Sequence, residues 1–310
     1  MAVFRYSPSA WVPFRDQAAL ARCRKIDRKD IAKHPNPDFR IRVVKDCDVE
    51  FIWVTDMFHR IKAAADAGRP VVMILPNPCP TYRHVARLIN TIKVDCKHVR
   101  LFAMDEYANE DGAIAPVTWE QGFGYALMHN LVYAIDEKLR PLARNVTVFT
   151  NKNLKDYGKM IADQGGADVC YSGPGWTGHL AFIEPDAPEF DVPLHEWRKL
   201  GPRIVTLSPF TLAQNSLHGS FGMSGDIAAV PPKAATIGPA QVIGSKARLD
   251  IHALTVHGTR TSWQRLITRL VTHGPVTPRL PTSIHQELRT DCYISETAAQ
   301  NIEVDHDKGY

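Results

Sequence analysis

The sequence predicts a single α/β domain, a Rossmann-like parallel sheet with helices on both faces, and three observations predict it. Apolar runs of strand length alternate with stretches whose apolar residues recur every three or four positions. That βαβα order calls for a parallel sheet with right-handed crossovers. One run, Val71 to Leu75, is apolar throughout, as a strand buried on both faces must be. No internal repeat or low-complexity linker divides the chain.

Residues 1–40 are rich in Pro, Arg and Asp and show no period, so they are read as an N-terminal extension packed over a domain of 41–310. Arg40 to Val44 reads as the first strand. Phe51, Val54, Phe58, Ile61 and Ala65 then recur at helical spacing until Gly68. After the Val71–Leu75 strand, Val85, Leu88, Ile89 and Ile92 define a second helix. Val99 to Met104 is a strand leading through a loop into a long helix with Phe123, Leu127, Leu131, Ala134 and Leu139 on one face. Val146 to Phe149 and Val169 to Ser172 are strands around a helix near 154–164. Ile204 to Leu207, Leu249 to Val256 and Cys292 to Ser295 are strand-like, and Trp263 to Val271 reads as a helix.

Of the 310 residues 45% are hydrophobic and 23% charged, ordinary for a globular chain with a sizeable core. The net charge of +4 is small and the basic residues are scattered, which argues against a nucleic-acid surface. No apolar stretch is long enough for a signal peptide or a membrane span, so no membrane partner and a cytoplasmic location are expected. The six cysteines lie far apart without metal-ligand spacing, and are expected to be reduced thiols. No metal and no cofactor are expected.

Ligands of open parallel sheets bind outside the carboxyl ends of the strands. Three loops therefore matter. After Ser172 comes Gly173-Pro174-Gly175-Trp176-Thr177-Gly178-His179, which formally matches GxGxxG. The following Leu180 to Pro188 carries two prolines and opens no good helix, so a dinucleotide site is a poor reading. The glycines instead let backbone pass close to a ligand, while His179 and Glu184 supply acid–base chemistry; a merely hydrogen-bonded loop histidine is the plainer reading. After Met104, Asp105 and Glu106 are adjacent carboxylates at the end of a buried strand. They fit a general base in a cleft, and equally a helix cap or a surface ion pair. After Leu75, the loop Pro76-Asn77-Pro78-Cys79-Pro80-Thr81 is a poor phosphate cradle, because Pro78 and Pro80 have no N–H.

Together, Leu101 to Tyr107 and Gly173 to Pro185 resemble the glucosamine-6-phosphate deaminase/isomerase family, whose fold is shared with the 6-phosphogluconolactonases. Gly166-Ala167-Asp168, Val230-Pro231-Pro232-Lys233-Ala234 and the Ala253 to Gly258 stretch match in order and spacing, over roughly residues 40–300. The resemblance implies that His179 helps to open a sugar ring, with Glu184 holding and polarising it. It implies that Asp105 moves a proton between C2 and C1, that an amino group at C2 leaves as ammonia, and that Lys233 helps to bind phosphate. Pro76, Asn77, Cys79, Thr81, Glu106, Gly175, Trp176, Thr177 and Gly178 are expected to line the substrate site.

The departures are equally specific. Thr177 stands where the family has an aspartate, so a hydroxyl replaces a charge beside the histidine. The phosphate loop becomes Pro76 to Thr81, and an arginine expected near Gln214 to His218 is replaced, by alignment, with Leu217. Each lost charge-assisted contact is worth about 1.5–3 kcal/mol. The expectation is therefore a homo-oligomeric sugar isomerase or deaminase, acting on the C–N bond of an amino sugar or its phosphate. A sugar lactonase and a catalytically silent sugar-binding relative are the alternatives.

Overall fold

The computed structural model describes residues 4–254 and 262–307. Seven strands form one wholly parallel sheet: β1 (Phe39–Val44), β2 (Val71–Leu75), β3 (Val99–Ala103), β5 (Val146–Thr147), β6 (Val169–Ser172), β9 (Arg248–His252) and β10 (Thr290–Ser295). Their order across the sheet is β1-β10-β9-β6-β2-β3-β5. Three more strands, β4 (Asp105–Ala108), β7 (Arg203–Thr206) and β8 (Lys233–Thr236), form a small antiparallel sheet in the order β4-β8-β7.

The period of two along β2 divides the interior. Val71, Met73 and Leu75 face one apolar core, and Val72 and Ile74 face the other. The first core is covered by helices α2 (Val49–Asp66), α3 (Tyr82–Ile92) and α4 (Phe123–Leu127). The second lies between the large sheet, α5 (Tyr157–Ala162), α6 (Leu194–Trp197) and the small sheet. Helix α1 (Gln17–Arg24) is capped by Asp16, whose carboxylate accepts from Ala18 N and Ala19 N at 3.0 Å. It buries Leu20 and Cys23 against Ile267 and Leu270 of α9 (Gln264–His273), so residues before Phe39 join a core of the domain. The remaining helices are α7 (Pro209–Asn215), α8 (Pro239–Ile243) and α10 (Glu296–Ala299).

Several expectations need correction. On α2 the buried stripe is Val54, Met57, Ile61 and Ala64, and Phe51 is exposed. On α3 Ile92 is likewise exposed, one residue before a left-handed Lys93 ends the helix. The long helix expected to run to Leu139 stops regular α-geometry at Leu127, continues as a π-turn over Met128–Val132, and breaks before a 3-10 turn at Glu137–Leu139. The segment at 204–207 belongs to the small antiparallel sheet. Asp105 to Ala108 is not a loop but strand β4. The strand expected to reach Val256 ends at His252, and residues 255–258 of that stretch lie outside the described residues.

Candidate active site

The carboxyl ends of β2, β3, β6, β9 and β10 open into one cleft of 840 Å³, within the size range of small-molecule sites. Pro76, Asn77, Pro78, Cys79 and Thr81 form one wall, and Ser172 to Gly175 and His179 another. The first wall is pinned because Tyr82 Oη donates to the Pro76 carbonyl at 2.7 Å. Cys79 belongs to it as a protonated thiol, since burial pushes its pKa up to about 12.

Strand β4 gives two adjacent carboxylates opposite duties. The chain leaves the parallel sheet at Met104, whose N–H donates to the Leu75 carbonyl at 2.9 Å and whose own carbonyl accepts from Ile237 N at 3.0 Å. From there side chains alternate between faces. Asp105 lines the cleft, 5% exposed, with Oδ1 buried and without a partner. Burial, aided by the neighbouring Glu106, holds its pKa well above the usual carboxylate range.

Glu106 turns away from the cleft, contrary to its expected place among the substrate contacts. Its Oε1 accepts from Tyr107 N at 2.8 Å and Phe123 N at 3.0 Å, and its Oε2 from Gly124 N at 2.6 Å. The Phe123 and Gly124 N–H groups open α4 and have no partner within the helix, so Glu106 secures that helix to the small sheet. Burial pushes its pKa up to about 7, against the pull of the three N–H donors.

The histidine loop is held with equal specificity. A Cβ on Gly175 would collide with His179 Nε2, so glycine is needed for the ring to lie there. Gly178, at φ +81°, sits against Ile267, Val271 and Leu280, in backbone that other residues rarely adopt. His179 Nδ1 lies 3.2 Å from Thr177 Oγ1, 3.1 Å from Thr211 Oγ1 and 3.6 Å from Glu184 Oε2. Two hydroxyls and a carboxyl group thus converge on one ring nitrogen. They favour a proton on Nδ1 and leave Nε2 to exchange protons with a ligand. Glu184 is 1% exposed and neither of its carboxyl oxygens has a hydrogen-bond partner.

Four expected contacts lie elsewhere. Trp176 and Thr177 line a separate apolar pocket of 350 Å³ with Phe14, Phe210, Trp263 and Leu266; Thr177 reaches the site only through His179. Gly178 serves packing rather than the cleft wall. Lys233, at the start of β8, donates to the Glu110 carbonyl at 2.6 Å and pairs with the Glu110 carboxylate at 3.4 Å, away from the cleft lining.

The structure also adds residues that sequence reasoning missed. Gln214 and Asn215, at the end of α7, and His218 just beyond it line the same cleft as Asp105, and Gln214 Oε1 accepts from Trp176 N at 2.8 Å. Burial, with His179 nearby, lowers the His218 pKa to about 4, so its ring is neutral at physiological pH. The polar triplet itself was visible in the sequence; its placement depends on the Pro209–Asn215 helix. That helix starts at Ser208, which caps Thr211 N at 3.2 Å.

Below the cleft floor lies a second polar cluster. Ser172 Oγ donates to Asp250 Oδ1 at 2.7 Å and lies 3.2 Å from His285 Nε2. Asp250 Oδ2 meets His252 Nε2 at 2.7 Å, and His252 Nδ1 meets Thr268 Oγ1 at 3.0 Å. Ligand atoms of Asp250, His252 and Cys292 lie within 4.8 Å of one another. Two of those atoms already bond to each other, so hydrogen bonding accounts for the cluster.

This is the α/β fold of the deaminases and lactonases that act on sugar phosphates, with a carboxylate and a histidine at its strand ends. No family model matches the chain. In sequence it is 27% identical to a glucosamine-6-phosphate deaminase of Mannheimia succiniciproducens, over 75% of this chain and 86% of that one. It is 27% identical to glucosamine-6-phosphate deaminase 2 of Giardia intestinalis, over 72% and 76%. In structure it superposes on a monomeric glucosamine-6-phosphate deaminase with a TM-score of 0.67 at 18% identity, over 84% of this chain and 98% of that one. It superposes on the 6-phosphogluconolactonase of Leishmania guyanensis with a TM-score of 0.58 at 13% identity, over 85% and 98%. The chain is thus related in sequence to the glucosamine-6-phosphate deaminases, on the fold they share with 6-phosphogluconolactonases. Among the described residues no helix is long and apolar enough to cross a membrane.

Proposed function

We propose that the protein is a sugar isomerase/deaminase that converts an aldose to a ketose by proton transfer, releasing ammonia when C2 bears an amino group. The observation that carries this reading is the meeting of Asp105 and His179 in one cleft, with Glu184 3.6 Å behind the imidazole. His179 Nε2 takes the proton of the anomeric hydroxyl and returns it to the ring oxygen as the ring opens. Glu184 and the two threonine hydroxyls hold the ring and favour the imidazolium formed on the way. Asp105 then removes the proton from C2 and delivers it to C1. In an amino sugar, with one proton passing from the nitrogen to O1, this leaves a C2=N bond, which water hydrolyses to C2=O and ammonia.

A carboxylate with a raised pKa is a stronger base than a solvated one, and an unpartnered oxygen is free to reach substrate. The test is turnover of hexosamines and hexosamine 6-phosphates, followed by ammonia release and ketose formation, with Asp105→Asn alongside. Ketose formation that disappears in Asp105→Asn supports the reading. A lactonase would hydrolyse sugar lactones instead and keep most of its activity in that variant.

A further inference from the structure

An imidazole that opens a sugar ring has to be held in one orientation, with its proton on one nitrogen. Glu184 Oε2, 3.6 Å from His179 Nδ1, stands beyond a direct hydrogen bond. Two hydroxyls come closer: Thr177 Oγ1 at 3.2 Å and Thr211 Oγ1 at 3.1 Å. They are not equivalent. Thr177 belongs to the histidine's own loop, two residues away, so it moves wherever the loop moves. Thr211 stands 32 residues further along the chain, in the first turn of α7, and is wholly buried.

Helix α7 fixes that hydroxyl before it meets the ring. Ser208 caps the helix: its Oγ accepts from Thr211 N at 3.2 Å and donates to Thr211 Oγ1 at 3.3 Å. A threonine side chain is stiff at χ1, so these contacts leave its oxygen little freedom. A hydroxyl oxygen has two lone pairs; Ser208 takes one, and the other is free to accept from Nδ1–H. A proton kept on Nδ1 leaves Nε2 as the basic nitrogen. One turn further along α7, Gln214 Oε1 accepts from Trp176 N at 2.8 Å, three residues before the histidine. The histidine loop is thus tied twice to one helix, once through its backbone and once through the imidazole.

We infer that Thr211 is a positioning residue of the reaction, setting the orientation and the Nδ1–H tautomer of His179 from outside the histidine's own loop. It is wholly buried and acts through the imidazole alone. This rests on the isomerase/deaminase reading and adds to it the residue that readies its histidine.

The test compares Thr211→Val, which keeps shape and removes the hydroxyl, with Thr211→Ser, which keeps the hydroxyl. The substrate is whichever hexosamine or hexosamine 6-phosphate the full chain turns over best. Thr211→Val should lose about tenfold or more in kcat with KM within about threefold of wild type, and Thr211→Ser should recover most of that loss. Thr177→Val should cost less. An unchanged kcat in Thr211→Val, a rise in KM alone, no rescue by serine, or an equal loss in Thr177→Val overturns the inference and leaves the isomerase/deaminase reading intact. Should Thr211→Val not fold, Ser208→Ala takes its place: it releases the Thr211 hydroxyl and should lower kcat severalfold, and an unchanged kcat overturns the inference. The tautomer is read without turnover from imidazole nitrogen NMR shifts of histidine-labelled protein, with His179→Gln assigning the signal. Wild type should show Nδ1–H and Thr211→Val a mixture; the same tautomer in both overturns the inference. If no sugar is turned over, the isomerase/deaminase reading fails, and this spectrum alone decides whether Thr211 sets the ring.

Discussion

Two clusters of buried acid and imidazole sit at the strand ends of this protein, and they differ in how completely they are satisfied. Around Asp250 nearly every polar atom has a partner: Ser172 and His252 each at 2.7 Å from its carboxylate, and Thr268 at 3.0 Å from His252. Around Asp105 the pattern is the reverse. Asp105 Oδ1 and both oxygens of Glu184 are buried without a hydrogen bond, and His218 Nδ1 adds another unpaired atom nearby. Burial is equal in the two clusters, so burial does not separate a working site from a structural one. Incomplete satisfaction does, because a group already saturated by protein has nothing left to offer a ligand.

The largest expected effect breaks the comparison at its unsatisfied side. Asp105→Asn keeps size and removes the base, so turnover should fall by roughly 10²–10⁴-fold, the usual worth of a positioned acid or base. The midpoint of urea unfolding should hold or rise, since an ionisable group disfavoured by burial is gone. The wild-type pH profile should rise along an acid limb well above pH 3.8, because the Asp105 carboxyl must lose its proton to act as base. A limb at the ordinary carboxylate position would place the base elsewhere.

Asp250→Asn should do the opposite: a loss of about 1–3 kcal/mol in unfolding free energy. The reason is the pair of imidazoles left facing an amide. Burial raises the Asp250 pKa, but His285, His252 and the Ser172 hydroxyl together outweigh it and hold it at about 2. If the variant unfolds like wild type, the network is not structural and the contrast between the clusters collapses.

The pH dependence of stability sharpens the same contrast. Burial lowers the His285 pKa to about 4, so between pH 6.5 and 4 the unfolded chain binds a proton that the native protein refuses. Its contribution is present above pH 6.5 and is lost as pH falls through that window, on the order of 2 kcal/mol by pH 4.5. Asp250 acts in the same direction lower down, between pH 3.8 and about 2. Glu106, raised to about 7, works the other way: its contribution is full below pH 4.5 and is lost as pH rises through 7. Urea midpoints at pH 7 and 4.5 should therefore show a steeper acid loss in Glu106→Gln than in wild type.

The parallel sheet was legible because its strands are apolar runs that need no partner to be recognised. The segments after Leu75, Met104 and Ser172 could be named as the places where chemistry gathers, and the structure brings residues of all three to one cleft, the middle one as strand β4. The small sheet was not legible. Asp105-Glu106-Tyr107-Ala108 has no apolar run, and its partner strand, Lys233–Thr236, lies more than a hundred residues away. Missing β4 also hid the alternation that sends Asp105 and Glu106 to opposite faces. The Ser172–Asp250–His285 cluster is likewise non-local, 78 and 113 residues apart in the chain. The cleft wall at Asn215 and His218 depends on how a seven-residue helix is aimed, which local propensity does not encode.

The smallest effect is expected at Lys233, where the resemblance and the geometry part. Resemblance assigns it to phosphate, while the structure gives it Glu110 as a partner, at the half-exposed start of β8. An exposed ion pair of this kind is worth about 0–1 kcal/mol. Lys233→Met should therefore move the urea midpoint little and leave kcat/KM on the best sugar substrate within about threefold of wild type. A loss of a hundredfold or more would mean that the ammonium abandons Glu110 for substrate. The cleft would then recruit its cation only when occupied, and the unpaired atoms around Asp105 would no longer be the sole mark of the working side.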